Sequence, residues 1–229
     1  MLWEVHLKKV IWLFFILFIC MWPVTSESAQ VYLSCRPSLF VEGTTQPAMN
    51  ADILSSSYDD AMGLMEITLN NWGTSTTGVA GYKYSDDRQF MPGTRIALQM
   101  DCGANHSKLG EGRIMAVSPK YLKSVPSTIT ISAQVAVTSL MKPSQISLVY
   151  GTNLIEFYAV LKLGVVEVSG LVSDAPELRK GMSVKVTGVG QRFEGSYSIS
   201  GTLHTWDLSR GYQIQFKGKK DTQFPTLRK

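Results

Sequence analysis

His204 and Asp207 stand three residues apart beside Trp206 and have the side-chain types of a general acid–base pair. The expectation is nevertheless that His204 bonds a turn carbonyl. Asp59-Asp60 and Asp86-Asp87 have the charge to hold calcium. Neither has the alternating oxygen ligands of a calcium loop, so both are expected in solvent. Gly73-Thr74-Ser75-Thr76-Thr77-Gly78 has the wrong spacing for a nucleophile elbow. Gly188-Val189-Gly190 lacks the third glycine of a dinucleotide loop and leads into no helix. His6, His106 and His204 are far apart and no two cysteines have C-x-x-C spacing, which argues against structural zinc. Asn105-His106-Ser107 fits a glycosylation acceptor, a pattern short enough to arise by chance. No catalytic residue, cofactor or metal is expected from this inventory, and the chain reads as a non-enzyme.

The elements that would position these residues are strands. The 229 residues are 45% hydrophobic and 17% charged, a composition that packs a core. The net charge of +4 is mild and its lysines and arginines are scattered, so nucleic acid is not an expected partner. The exceptions are Lys217, Lys219, Lys220, Arg228 and Lys229, which read as a solvated basic tail over 219–229.

Residues 1–28 form a unit of their own. His6, Lys8 and Lys9 precede an apolar run from Val10 to Trp22, followed by Pro23 and small or polar residues. These are the three parts of a secretory signal peptide. The run is too short to span a bilayer comfortably, so no stable membrane span is expected once the segment is removed. Cleavage after Ser26 or Ser28 and a translation start at Met21 are both open. With export, Cys35 and Cys102 would share an oxidising compartment and could pair; in a cytoplasm they would stay reduced and buried.

Beyond residue 28 apolar residues alternate with polar ones. Gln30 to Arg36 predicts a strand that Pro37 ends or marks as an edge, and Ala48 to Tyr58 predicts another. Met65, Ile67 and Leu69 share a face, as do Ile96, Leu98 and Met100, and Ile129, Ile131 and Ala133. Gly112 to Val117 predicts a strand, whereas Asn70 to Ala80 and Gly103 to Gly110 read as loop and turn. Strands follow from Ser147 to Leu171. The closing stretch Gly181–Phe216 predicts an antiparallel meander. In it Val184 and Val186, then Tyr197, Ile199, Gly201 and Leu203, then Tyr212, Ile214 and Phe216 lie on the inner faces. Short strands at regular spacing predict an all-β fold of two small antiparallel β-barrels. The boundaries are a first barrel over 30–137, a linker over 138–150 and a second barrel over 151–218.

The closing meander also resembles the last barrel of the phage late control protein D family, the tail hub proteins related to type VI secretion spikes. The residues that carry the resemblance are Gly181, Val184, Val186, Gly188, Val189, Gly190, Phe193, Gly195, Tyr197, His204, Trp206, Gly211, Tyr212 and Phe216. Ile67-Thr68-Leu69-Asn70, Phe90, Pro92-Gly93, Gly112, Ile114 and Tyr150-Gly151, Asn153, Leu154 follow the family's order more loosely. Full-length hubs carry an α/β insertion between their barrels, for which 137–150 is too short, so the match is to a reduced version.

The resemblance implies a structural component of a phage tail or phage-like contractile injection apparatus. It would be a baseplate hub whose homotrimer of two-barrel chains forms a ring between the six-fold tail tube and the three-fold spike. Such a protein is assembled in the bacterial cytoplasm into the virion or tail. Phe193, Tyr197, Trp206, Tyr212 and Phe216 are then expected as barrel and interface residues. The signal-like start motivates an alternative, an exported stand-alone β-barrel binding module in the periplasm or outside the cell, with Trp72, Tyr82 and Tyr84 as contact residues.

Overall fold

The computed structural model describes residues 35–45, 47–74, 80–85, 88–135 and 145–221. The signal-like segment, the pair Asp86-Asp87, residues 137–144 and the end of the basic tail lie outside the described residues. Val31–Lys229 makes one compact unit.

Fifteen strands account for most of the described chain. The first group is β1 (Cys35–Val41), β2 (Thr44–Thr45), β3 (Ile53–Asp59), β4 (Leu64–Asn70), β5 (Trp72–Thr74), β6 (Ala80–Tyr82), β7 (Arg95–Cys102), β8 (Asn105–Leu122) and β9 (Val125–Val135). The second is β10 (Gln145–Val149), β11 (Leu154–Lys162), β12 (Val165–Val172), β13 (Ser183–Thr187), β14 (Gly195–Asp207) and β15 (Gly211–Asp221). Thirteen join in one sheet, along the path β11-β12-β15-β14-β3-β4-β9-β8-β7-β1-β2, with β13 beside β14 and β10 beside β13. The hairpin β5–β6 stands off this sheet.

The all-β expectation holds, but thirteen of the fifteen described strands form one sheet and the described strands close no barrel. The two halves meet on β14. Its first part, Gly195 to Ser198, pairs with β13, and its second, Leu203 to Asp207, pairs with β3. β15 runs along the opposite edge of β14 from Ser198 to Asp207. From β14 the sheet passes through β3, β4, β9, β8 and β7 to β1, and the Trp206 indole N–H donates to Cys35 O at 2.9 Å. This side-chain bond bridges β14 to β1, between which no ladder runs among the described strands.

The alternating patterns fall inward as expected. Met65, Ile67 and Leu69 are fully buried, as are Ile96, Leu98 and Met100, Ile129, Ile131 and Ala133, and Val184 and Val186. They form one core with Tyr197, Tyr212, Ile214 and Phe216. Gly170 sits opposite Phe216, and the nearest ring carbon would lie 2.7 Å from a Cβ there, so the missing side chain is the space the ring fills.

Several local expectations are corrected. Ala48 to Tyr58 is not one strand: Pro47–Ala51 forms a short helix, α1, before β3 begins. Pro47 suits the first helical position because its ring fixes φ and the missing N–H has no intrahelical partner there anyway. Pro37 lies inside β1, where β1 pairs with β7 on one side, the edge position that tolerates proline. The Gly103–Gly110 turn shrinks, because β8 begins at Asn105. The Asn70–Ala80 loop contains β5 and the first residue of β6. In β14 the pairing slips between Ile199 and Gly201, a bulge that reverses the alternation. Leu203, expected inward, therefore points outward and is half-buried, while His204 points into the core.

Gln145–Val149 forms β10, which takes in the start of the strand expected from Ser147 and runs parallel to β13. It is the one parallel ladder among the described strands. Lys219, expected in the basic tail, pairs with Glu167 within β15 and β12.

Candidate functional site

The described side chains most unlike a plain β core gather where the two halves meet. The bulge in β14 turns His204 inward, the β3–β4 turn supplies Asp60, β15 supplies Tyr212, and the loop Ser173–Met182 supplies Arg179. All four are buried.

Asp60 accepts from the Thr202 N–H and hydroxyl, each at 2.6 Å, and from the Lys180 N–H at 2.6 Å. The pair Asp59-Asp60 is thus not a solvated acidic pair. Asp59 caps the turn by accepting from the Ala61 and Met62 N–H groups at 2.9 and 3.0 Å, and Asp60 is consumed inside. Arg179 donates to Pro176 O at 2.6 Å, Leu178 O at 2.7 Å and Lys108 O at 3.1 Å. It also lies 3.0 Å from His204 Nε2. Ser107 Oγ donates to Pro176 O at 2.9 Å. β8 is in this way tied to the loop that feeds β13.

His204 Nε2 also lies 3.0 Å from Thr202 Oγ, and Nδ1 lies 2.5 Å from Tyr212 Oη. Leu178 O also lies 2.9 Å from Nε2, so the expected turn-carbonyl contact is present within a larger network. Burial, then the facing Arg179 charge, drives the His204 pKa well below its usual value of 6.5. Burial pushes the Tyr212 phenol up and also lowers Arg179 from its usual value. A neutral imidazole between a guanidinium and a phenol has no free face for substrate. The arrangement cross-links elements.

His204 and Asp207 do not form a pair. Asp207 closes the β14–β15 turn, accepting from Ser209 N, Ser209 Oγ and Arg210 N at 2.9, 2.6 and 2.8 Å. The Ser209 hydroxyl, then the Arg210 groups, overcome partial desolvation and hold this carboxyl well below the usual carboxylate range.

Of the five residues singled out in the closing meander, Tyr197, Trp206, Tyr212 and Phe216 are buried within the chain, and Phe193 is half-buried. Tyr197 packs edge to face on Phe157, and its hydroxyl donates to Phe193 O. Cys35 and Cys102 face each other across β1 and β7 and are joined by a disulfide. Asn153 accepts from Val149 N at 2.8 Å and donates to Ser147 O at 3.0 Å, closing the turn of the Tyr150-Gly151, Asn153, Leu154 phrase.

Two surface features lie outside the network. On β11, an end strand of the sheet, Tyr158, Val160 and Leu161 are exposed, and Leu163 follows at 93% exposure. Trp72 and Tyr82 are also exposed, whereas Tyr84 is buried. Arg179 carried no sequence signal, and Asp60 was legible only as half of an acidic pair, because Thr202 and Lys180, which bind it, and His204 and Lys108, which Arg179 meets, come from other stretches.

No family model matches this chain, and no curated protein matches it. Its likeness is to solved structures. The tail protein from Neisseria meningitidis MC58 superposes with a TM-score of 0.54 at 6% identity, over 82% of this chain and 97% of that one. The 43 kDa tail protein of prophage MuSo2 from Shewanella oneidensis superposes with a TM-score of 0.52 at 9% identity, over 81% and 98%. At these identities the likeness is one of fold. An E. coli type VI secretion component has a TM-score of 0.49 at 10% identity, over 79% and 76%.

Proposed function

We propose that this chain is a structural component of a phage tail or phage-like contractile injection apparatus, a reduced hub of the late control protein D type. The observation that carries the reading is the fold shared with two tail proteins across about four fifths of this chain. The motif order of the closing meander supports it independently.

In this reading the two halves on either side of the β3–β14 ladder serve as two barrel-like lobes. Three chains then present six lobes to a six-fold tube and three-fold symmetry to a spike. The buried network is the joint that keeps the lobes in register. The exposed apolar residues of β11, Tyr158, Val160 and Leu161, meet a neighbouring copy, because an open strand edge is a template for pairing. Phe193 is the one residue of the five with surface left to contribute. The test is negative-stain electron microscopy of the purified full chain, alone and mixed with the tail tube and spike proteins of the same cluster. Rings with a central channel are expected, and particles of single-chain size in both samples would refute the hub role.

The Cys35–Cys102 disulfide favours a second reading, an exported β-rich binding module, since disulfides persist in oxidising compartments. Alkylating free thiols at the moment of cell lysis, followed by mass spectrometry, separates the two. An oxidised pair on a protein lacking its first residues supports export. Reduced cysteines support cytoplasmic assembly.

A further inference from the structure

The hairpin β5–β6 lies off the main sheet but is anchored to the body by buried polar groups. Asn71 is fully buried. Its side chain donates to Ser85 Oγ at 2.7 Å and accepts from Tyr84 N at 2.9 Å, and its N–H donates to Ser127 O at 2.8 Å. Lys83 reaches across Gly73 to lie 2.8 Å from both oxygens of Asp52, and Tyr84 Oη donates to Asp52 at 2.6 Å. Asn70 holds the backbone of Trp72 from both sides, at 3.2 and 3.0 Å.

This anchoring holds Trp72 and Tyr82 against Tyr121 near the tip of the β8–β9 hairpin. The ring centroids are 5.4 Å apart for Trp72 and Tyr82 and 4.8 Å apart for Tyr82 and Tyr121, both edge to face. Tyr121 Oη is 2.7 Å from Ser85 Oγ, so its ring is tied through Ser85 to the buried Asn71. The three rings stay 48%, 45% and 50% exposed. They line a groove of about 430 Å³ together with Leu122, Val125 and Ser127, and none of its described lining residues is charged. Ser127 is only 7% exposed, and its hydroxyl has no hydrogen-bond partner among the described residues. A buried hydroxyl left unpaired costs about 1–3 kcal/mol, so a partner arriving through the groove gains from it.

We propose that this groove binds a neutral saccharide. The rigid rings offer faces for the C–H side of a sugar, at little entropic cost because they are already fixed. The Ser127 hydroxyl can accept from, or donate to, a sugar hydroxyl. The absence of charge in the lining suits an uncharged ligand. Proline-rich peptides also dock on aromatic grooves and are the competing outcome of the test. The site is independent of whether the chain assembles into a tail or acts after export.

The test is calorimetry of the full chain with maltohexaose, cellohexaose, chitohexaose and an uncharged proline-rich decapeptide. At least one hexasaccharide is expected to bind with a Kd between about 10 μM and 1 mM. Trp72→Ala should weaken it about tenfold or more, and Ser127→Ala about three- to tenfold. Val125→Glu, a charge set into the exposed rim, should weaken it as well and guards against misfolding of the first two variants. Circular dichroism and elution volume check that each variant keeps its fold. No heat from any of the three sugars up to about 10 mM would overturn the proposal. So would sugar binding that Trp72→Ala and Val125→Glu leave unchanged, or Trp72-dependent binding of the peptide alone.

Discussion

Asp60 and Arg179 are opposite charges buried in one network without touching, with Thr202 and His204 between them. Removing either leaves the other uncompensated. Asp60→Ala also strips acceptors from the Thr202 and Lys180 N–H groups, and it is expected to lose about 3–5 kcal/mol in urea unfolding. Asp60→Asn combined with Arg179→Met should lose less than the sum of the two single changes, because the second substitution removes the charge the first one strands. His204 gives the network a pH signature. Its folded-state pKa is depressed by burial and by Arg179, while Tyr58, Tyr212 and Asp60 complete its surroundings. Above the usual value of 6.5 the imidazole is neutral folded or unfolded. Below it the unfolded chain binds a proton that the native state refuses, so stability falls by about 1.4 kcal/mol per pH unit. Stability measured from pH 7 down to about pH 5 should show this slope, and His204→Gln should flatten it.

At the scale of elements, β1 is held to β7 by its ladder and by the Cys35–Cys102 bond, which encloses a separation of 67 residues. A loop of that length is worth about 4 kcal/mol in the chain-entropy view, so reduction should lower stability by about 2–4 kcal/mol without changing the β-sheet signal in circular dichroism. Gly170 is a second control point. A Cβ there would lie 2.4 Å from Glu156 O and 2.7 Å from the Phe216 ring, so Gly170→Ala should lose about 1–3 kcal/mol in thermal or urea unfolding. Strands such as β4, β7, β9 and β15 were legible because a half-buried strand writes a period of two into its side chains. The bulge in β14 was not, since one extra residue reverses the phase without any residue type announcing it. α1 was hidden by a stretch whose apolar points, Met49 and Ile53, suit either period. The parallel pairing of β10 was invisible because its partner lies far along the chain. The burial of Asp60 depends on Thr202, 142 residues away, and no local pattern encodes such a contact.

For the whole molecule, one continuous sheet runs through both halves, and its ends are where another chain could join. β11 carries Tyr158, Val160 and Leu161 in the open between the exposed charges of Glu156 and Lys162. Val160→Lys is therefore expected to dissociate an assembly of this chain while leaving its far-ultraviolet circular dichroism and its unfolding midpoint nearly unchanged. Sedimentation velocity of the variant beside the unaltered protein reads both the loss of assembly and the retention of a compact particle. The most direct measurement of the tail-hub reading is the solution mass of the purified full chain, by light scattering behind a sizing column over a range of concentrations. The ring predicts a mass of three chains that Val160→Lys reduces to one. A mass of one chain at every concentration would contradict it.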